Sequence, residues 1–195
     1  MSHHIYHTEA LILGSRASGE GDRLLYLLTR DHGLVIAHAR SIREQRSRLR
    51  YALQPFAHAY IDLIRGKHGW KLISATPISS FRDLWKEEEK RRIVAGHMQL
   101  TRRLVQGEEP HESLFDELLR GYRFVHMLKD KEQLRDTELL LAVRLLAHLG
   151  YWGNVPELAT ATENLGYSTE DIALLRPHRN TIVSVIKSAI NSSHL

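Results

Sequence analysis

Apolar and polar positions alternate through the first eighty residues of the chain, and after them apolar residues recur every three to four positions. Ile5 to Gly14 (IYHTEALILG) carries β-branched and aromatic residues and predicts a first strand. Arg16 to Gly21 (RASGEG) reads as a loop. Arg23 to Thr29 and Leu34 to Ala39 are two short apolar runs around Arg30, Asp31, His32 and Gly33, the pattern of an antiparallel hairpin. Leu49 to Leu53 suits one helical turn. From Phe56 to Arg65, Ala57, Ala59, Ile61 and Leu63 share one face, with Phe56, His58, Tyr60 and Asp62 on the other. Gly66 to Gly69 then makes a turn, and Trp70 to Thr76 supplies a fifth strand that ends before Pro77. Five short strands of this spacing form a small barrel, and the pattern fits an OB-fold or an SH3-like barrel nearly equally.

The period changes after Pro77 to Ser80. Ile93, His97, Leu100 and Leu104 form one helical stripe, closed by Gly107 to Pro110. Leu114 to Leu128 traces a second helix. Leu134 to Leu149 is apolar on nearly every side, which places it at the centre of a bundle, and Gly150 suits a left-handed C-terminal cap. A capped short helix over Ser168 to Leu175 and a last one over Pro177 to Asn191 follow. The expected architecture is α+β: a barrel domain over residues 1–79 and an all-α domain over 80–195.

Charge is uneven along this outline. The 195 residues hold 27 Lys and Arg against 23 Asp and Glu. Of these, 11 basic and 6 acidic residues lie in Met1 to Ser80, a net +5, and the remaining 16 and 17 leave −1. A polyanion would therefore meet the first half, whether nucleic acid, anionic lipid or an acidic protein tail. With no cysteine there is no disulfide, thiolate metal site or catalytic thiol. No apolar run of about 18 residues and no charged-then-apolar leader is present, so the expectation is a soluble cytoplasmic protein without a membrane segment.

The chain holds 13 histidines, yet no helical segment spaces two of them as metal ligands, and His3, His4 and His7 sit near a terminus. There is no G-x-S-x-G and no phosphate-cradling glycine loop. Glu87, Glu88 and Glu89 read as a solvated helix start. Glu20 and Asp22 either position loop arginines or cap a turn. The expectation is a non-enzyme without metal or cofactor.

Nucleic acid is the better match. Arginine forks fit phosphate oxygens, and neutralising several phosphates releases counterions. Arg16, Arg23, Arg40, Arg43, Arg46, Arg48 and Arg50, with Lys67 and Lys71 on the last hairpin, are the candidate contacts. Tyr26, Tyr51, Tyr60 and Trp70 are candidate stacking platforms, with Trp70 expected to face the surface. Nothing in the pattern reads a base edge, so binding should be largely indifferent to base sequence.

The strings T-E-A-x-I-L-G-S-R-x-S-G-E-G-D-R-L-L-x-L-L-T-R-x-H-G-L (Thr8 to Leu34), A-x-A-R (Ala37 to Arg40), S-R-L-R-x-A-L-Q-P-F (Ser47 to Phe56) and R-L-L-A-H-L-G-Y (Arg144 to Tyr151) resemble the bacterial RecO family of recombination mediators. The resemblance favours the OB-fold. It implies binding to single- and double-stranded DNA, annealing of complementary strands, and loading of RecA, with RecR, onto strands coated by single-strand-binding protein. It also implies that the helical domain takes the acidic C-terminal tail of the single-strand-binding protein. Arg102, Arg103, Arg120 and Arg123, near apolar helical positions, are the candidates for that contact. Many members resemble zinc proteins with a cysteine cluster after the G-Y. Here Asn154 to Gly166 has no cysteine, so no zinc is expected. An RNA-binding OB-fold protein and a metal-dependent nuclease using clustered His and Asp are the alternative readings.

Overall fold

Five segments of alternating burial pair into a closed barrel in the order β1-β2-β3-β5-β4. The strands are β1 (Ile5–Ser18), β2 (Asp22–Thr29), β3 (Gly33–Ala39), β4 (Ala57–Gly66) and β5 (Gly69–Ser80). The computed structural model describes residues 4–42, 49–152, 162 and 166–192, and within them all side chains except those at positions 50, 51, 80, 82 and 85. A short helix, α1 (Leu49–Ala52), precedes β4. The expected five-stranded OB-fold barrel followed by helices is what the chain forms.

Every neighbouring pair is antiparallel except β3 and β5, which meet in parallel at only two positions, Ala37↔Trp70 and His38↔Lys71. Alanine makes so narrow a closure possible. Ala10, Ala37, Ala39, Ala57 and Ala59 face inward beside Ile12, Leu25, Leu27, Val35, Ile61 and Leu63, all 2% exposed or less. Small side chains opposite large ones fill a tapering interior without voids. Ala52 and Leu53, at and after the end of α1, complete this core.

Two boundaries differ from the alternation-based expectation. β1 continues past Gly14 to Ser18, so Arg16 lies on a strand rather than in a loop. The cause is a bulge: pairing shifts between Ile12↔Leu27 and Gly14↔Tyr26, leaving Leu13 as the extra residue, and the ladder then resumes. β5 likewise runs through Pro77. There β5 is paired with β4 alone, and Ile78 is the extra residue between Ala59↔Pro77 and His58↔Ser79. A strand with one unpaired edge and a bulge tolerates a residue that lacks an N–H.

The chain divides into two compact units. One comprises Met1–Arg82 with Gln106–Phe115, the other Asp83–Val105 with Asp116–Leu195. Within the first, Gln106–Phe115 is held by backbone: the Leu34 N–H donates to the Gly107 carbonyl at 3.1 Å. Gly33 at the tip of the β2–β3 hairpin has φ of 60°, and a Cβ there would run into the Glu109 backbone, so only glycine satisfies both demands.

The second unit contains α2 (Glu88–Leu104), most of α3 (Glu112–Met127), α4 (Lys131–His148), α5 (Thr169–Leu175) and α6 (Arg179–Ser192). α4 is the centre that its apolar circumference predicts, with Leu139, Leu140, Leu141, Val143, Leu145 and Leu146 all buried. Asp130 caps its start by accepting from the Glu132 and Gln133 amides, and Gly150, at φ of 73°, follows its end. Ser168 and Asp171 form a capping box at α5. Among the described residues no helix is long and apolar enough to cross a membrane.

Candidate nucleic-acid interface

Because strand side chains alternate, the residues between the barrel's core positions form rows across its outer surface. The registers Arg16↔Leu24, Leu24↔His38 and His38↔Lys71 define one such row across four strands. Arg16 and Lys71 stand three strand spacings apart in it, about 14 Å. The adjacent row is Gly14, Tyr26 and Ile36, in which Ile36 is 48% exposed and Tyr26 half-buried. Two cations, Arg16 and Lys71, thus flank Leu24 and His38 beside a short apolar strip. That combination suits a polyanion with planar bases: charge for the backbone, apolar surface for the rings.

Several cations on this side are unpaired among the described residues. Arg16 and Arg40 are exposed and Lys71 is partly so, and none has a salt-bridge partner among the described residues; the same holds for exposed Lys67 in the β4–β5 turn. Arg23 is exposed and donates to the Ser15 hydroxyl at 2.8 Å, a neutral partner that leaves its charge available. Elsewhere on the barrel the cations are already committed. Arg30 reaches Glu9 at 3.5 Å and Glu112 at 3.3 Å, Arg65 pairs with Glu108, His58 bonds Glu9 at 2.9 Å and His7 bonds Asp62 at 2.6 Å.

The barrel end next to Arg40 is organised by Asp22. Its Oδ1 accepts from the Ser41 N–H at 2.9 Å, and its Oδ2 lies 3.7 Å from His38 Nδ1. His38 Nε2 in turn lies 3.1 Å from the Ser18 hydroxyl. The Asp22 bond to Ser41 is the turn cap that the sequence offered as one of its roles.

Trp70 corrects the expectation of a surface-facing ring. It is 6% exposed, its indole N–H donates to Glu108 at 2.9 Å, and Tyr6 packs edge-on at 5.0 Å. The reason is parity: Ala37↔Trp70 is an inward position of the β3–β5 seam, so Lys71 is the residue that faces out. Tyr60, 56% exposed on β4, keeps the accessibility a stacking residue needs. Arg43, Arg46 and Arg48 lie outside the described residues, and Arg50 is described only as backbone of α1. His38 was not among the residues singled out from the sequence, although its alternation with Ala37 and Ala39 already put it on the outward face.

In the helical unit the four candidate arginines separate. Arg120 and Arg123, one turn apart on α3, line a hollow of about 230 Å³ with Phe124, Met127 and Tyr167. Met127 is 69% exposed, and Tyr167 lies against Phe124 with centroids 5.4 Å apart. Arg120 bonds Glu117 at 2.9 Å, but its Nε is buried with no hydrogen-bond partner. Arg102 and Arg103, in the last turn of α2, are not part of this lining and are engaged by other groups.

Behind the hollow is a network the sequence did not reveal. Arg144, 1% exposed, pairs with Glu117 at 3.2 Å and Asp171 at 3.3 Å and sits 4.1 Å from the Tyr167 ring centroid. Burial would raise the Glu117 carboxyl, but hydrogen bonds from His148, Tyr167 and Arg120, with the charge of Arg144, outweigh it and hold the group down at about 2. Its neighbour in the core, His97, bonds the Tyr122 hydroxyl at 3.1 Å and the Leu141 carbonyl at 3.0 Å. Burial pushes His97 down to about 4 despite that carbonyl and the Glu117 charge, so the ring is neutral at pH 7. No grouping of three His, Cys, Asp or Glu among the described residues could hold a metal ion.

A closed five-stranded OB barrel followed by helices is the class that the fold defines. Comparison with known proteins agrees in kind. Residues 1–81 match the family described as Recombination protein O N terminal. The chain is 35% identical over 158 residues to the DNA repair protein RecO of Heliobacterium modesticaldum, covering 80% of this chain and 54% of that protein. It is 31% identical over 155 residues to the DNA repair protein RecO of Desulfitobacterium hafniense, covering 80% and 55%, and 33% identical over 115 residues to that of Pelotomaculum thermopropionicum, covering 59% and 45%. By these matches residues 1–81 form a RecO N-terminal domain, and the chain is similar to RecO proteins over 80% of its own length while spanning about half the length of the curated relatives it matches.

Proposed function

We propose that this chain is a non-catalytic DNA-binding protein of recombinational repair, which uses the outer face of its barrel to hold strands by their phosphates. The observation that carries the reading is the outer face bearing Arg16, Arg40 and Lys71, none with a salt-bridge partner among the described residues, beside Tyr26 and Ile36. Such a surface screens phosphate repulsion and leaves base edges free, which is what annealing of complementary strands requires. It needs no nucleotide and no metal. In this reading the chain acts with RecR to help load RecA onto strands coated by single-strand-binding protein. The hollow between Arg120, Arg123, Phe124, Met127 and Tyr167 receives the acidic tail of that protein, with the two guanidinium groups supplying positive charge for a carboxylate and the rings and Met127 an apolar wall.

The test is annealing of two complementary labelled strands, with RNA strands of the same sequence in parallel. Acceleration of the DNA reaction that persists in chelator supports the proposal. A clear preference for RNA, or chelator-sensitive cleavage of either strand, would overturn it.

A further inference from the structure

An acidic residue inside a cationic face ordinarily weakens its hold on a polyanion. Asp22 is such a residue: it lies beside His38 and one position from Arg23. Its geometry argues for the opposite effect. β3 ends at Ala39, and Arg40 is the first residue beyond it. The next residue, Ser41, takes φ of 51°, a left-handed conformation that a non-glycine residue holds only when something fixes it. What fixes it is the Asp22 carboxylate accepting the Ser41 N–H at 2.9 Å. The Ser41 backbone also lies against Gly21, where a Cβ would sit 3.8 Å from the Ser41 Cα. Arg40 is therefore held between a paired strand end, Arg23↔Ala39, and a clamped turn. The direction in which its side chain leaves the barrel is set by both.

We propose that Asp22 is a positioning residue for phosphate contact by Arg40, so that this carboxylate strengthens DNA binding instead of weakening it. The proposal rests on the DNA-binding reading above. It makes a prediction opposite in sign to simple charge counting: within a Debye length of about 10 Å at 0.1 M salt, removal of an acidic charge should tighten binding.

The experiment is anisotropy of a labelled single-stranded oligonucleotide over a salt series, with wild type, Asp22→Ala, Asp22→Asn, Arg40→Ala and the double variant Asp22→Ala/Arg40→Ala. Asparagine keeps an oxygen that accepts from Ser41 but carries no charge, so it separates clamp from charge. Asp22→Ala should lose about fivefold in affinity at 0.1 M salt and lower the log–log salt slope by about 0.7, the equivalent of one single-strand phosphate. Asp22→Asn should bind at least as tightly as wild type with the slope retained. The double variant should be no weaker than Arg40→Ala alone. A purely structural role for Asp22 would lower the melting temperature and leave the slope in place, and that pattern overturns the proposal. Tighter binding by both Asp22 variants, or additive losses in the double variant, overturns it as well. Absence of salt-dependent binding by wild type would instead overturn the DNA-binding reading itself.

Discussion

Arginine is used in two ways in the two units of this chain. On the barrel, Arg16 and Arg40 point into water with no acidic partner among the described residues. In the helical unit, Arg144 is buried between Glu117 and Asp171, Arg92 grips both oxygens of Glu138 at 3.1 and 3.0 Å, and Arg176 bonds Asp136 and Glu132. A cation held by two acids cross-links a fold and has little field left to offer. A cation without partners adds nothing to the fold and keeps its charge for a ligand. Net charge per unit therefore says less about polyanion binding than which cations are already neutralised.

The comparison can be broken most forcefully at Arg144. Arg144→Met leaves Asp171 buried without its cation and Glu117 with Arg120 alone among the arginines, and the expected cost is about 3–5 kcal/mol, read from urea unfolding followed by helical circular dichroism. An effect below about 1 kcal/mol would mean the network is not the cross-link it resembles.

Acid should act on the same unit. An unfolded chain protonates His97 below pH 6.5, whereas the folded site resists protonation until about 4. Unfolding is therefore favoured as pH falls through that window, by roughly 2 kcal/mol between pH 7 and 5. Glu117 acts in a lower window: its folded value lies below the ordinary one, so its contribution is present above about 4.5 and is lost as pH falls towards 2. Denaturation midpoints at pH 7, 5 and 4 check both, and His97→Gln should flatten the first step.

Gly121→Ala probes the hollow on α3. A Cβ there would stand 2.7 Å from the Tyr167 hydroxyl and closer still to Leu141. The clash should outweigh the better helix propensity of alanine and cost about 1–3 kcal/mol, while displacing Tyr167 and weakening capture of an acidic peptide. Arg16→Ala and Lys71→Ala form the opposite case. Each should leave stability within about 0.5 kcal/mol of wild type and weaken DNA binding about fivefold.

Alternation and helical period carry most of the architecture. The β2–β3 hairpin, the alternation of β4, the central α4 and the caps at Ser168 and Gly150 all follow from local chemistry that a single segment contains. What the segments do not contain is their partners. A bulge at Leu13 lets β1 continue where small residues suggest a loop, and an unpaired edge lets β5 pass Pro77. Trp70 follows parity inward although its neighbours are Gly69 and Lys71. Arg144 finds Glu117 and Asp171 each 27 residues away, and no short pattern announces such a meeting. The candidate interface divides the same way. Its basic character is legible in composition, while the alignment of Arg16, His38 and Lys71 depends on strand register. Arg120 and Arg123 share a hollow because they are one helical turn apart, a relation visible in sequence. Tyr167, which forms part of its wall, is not.

The central claim is that unpaired cations on the barrel hold phosphates, and its most direct measurement is the salt dependence of single-stranded DNA binding by wild type and Arg16→Ala/Lys71→Ala. The account predicts steep salt dependence in wild type and a slope lower by about 1.4 in the variant, which then neutralises two fewer phosphates, with the melting temperature unchanged. An unchanged slope in a folded variant would contradict it.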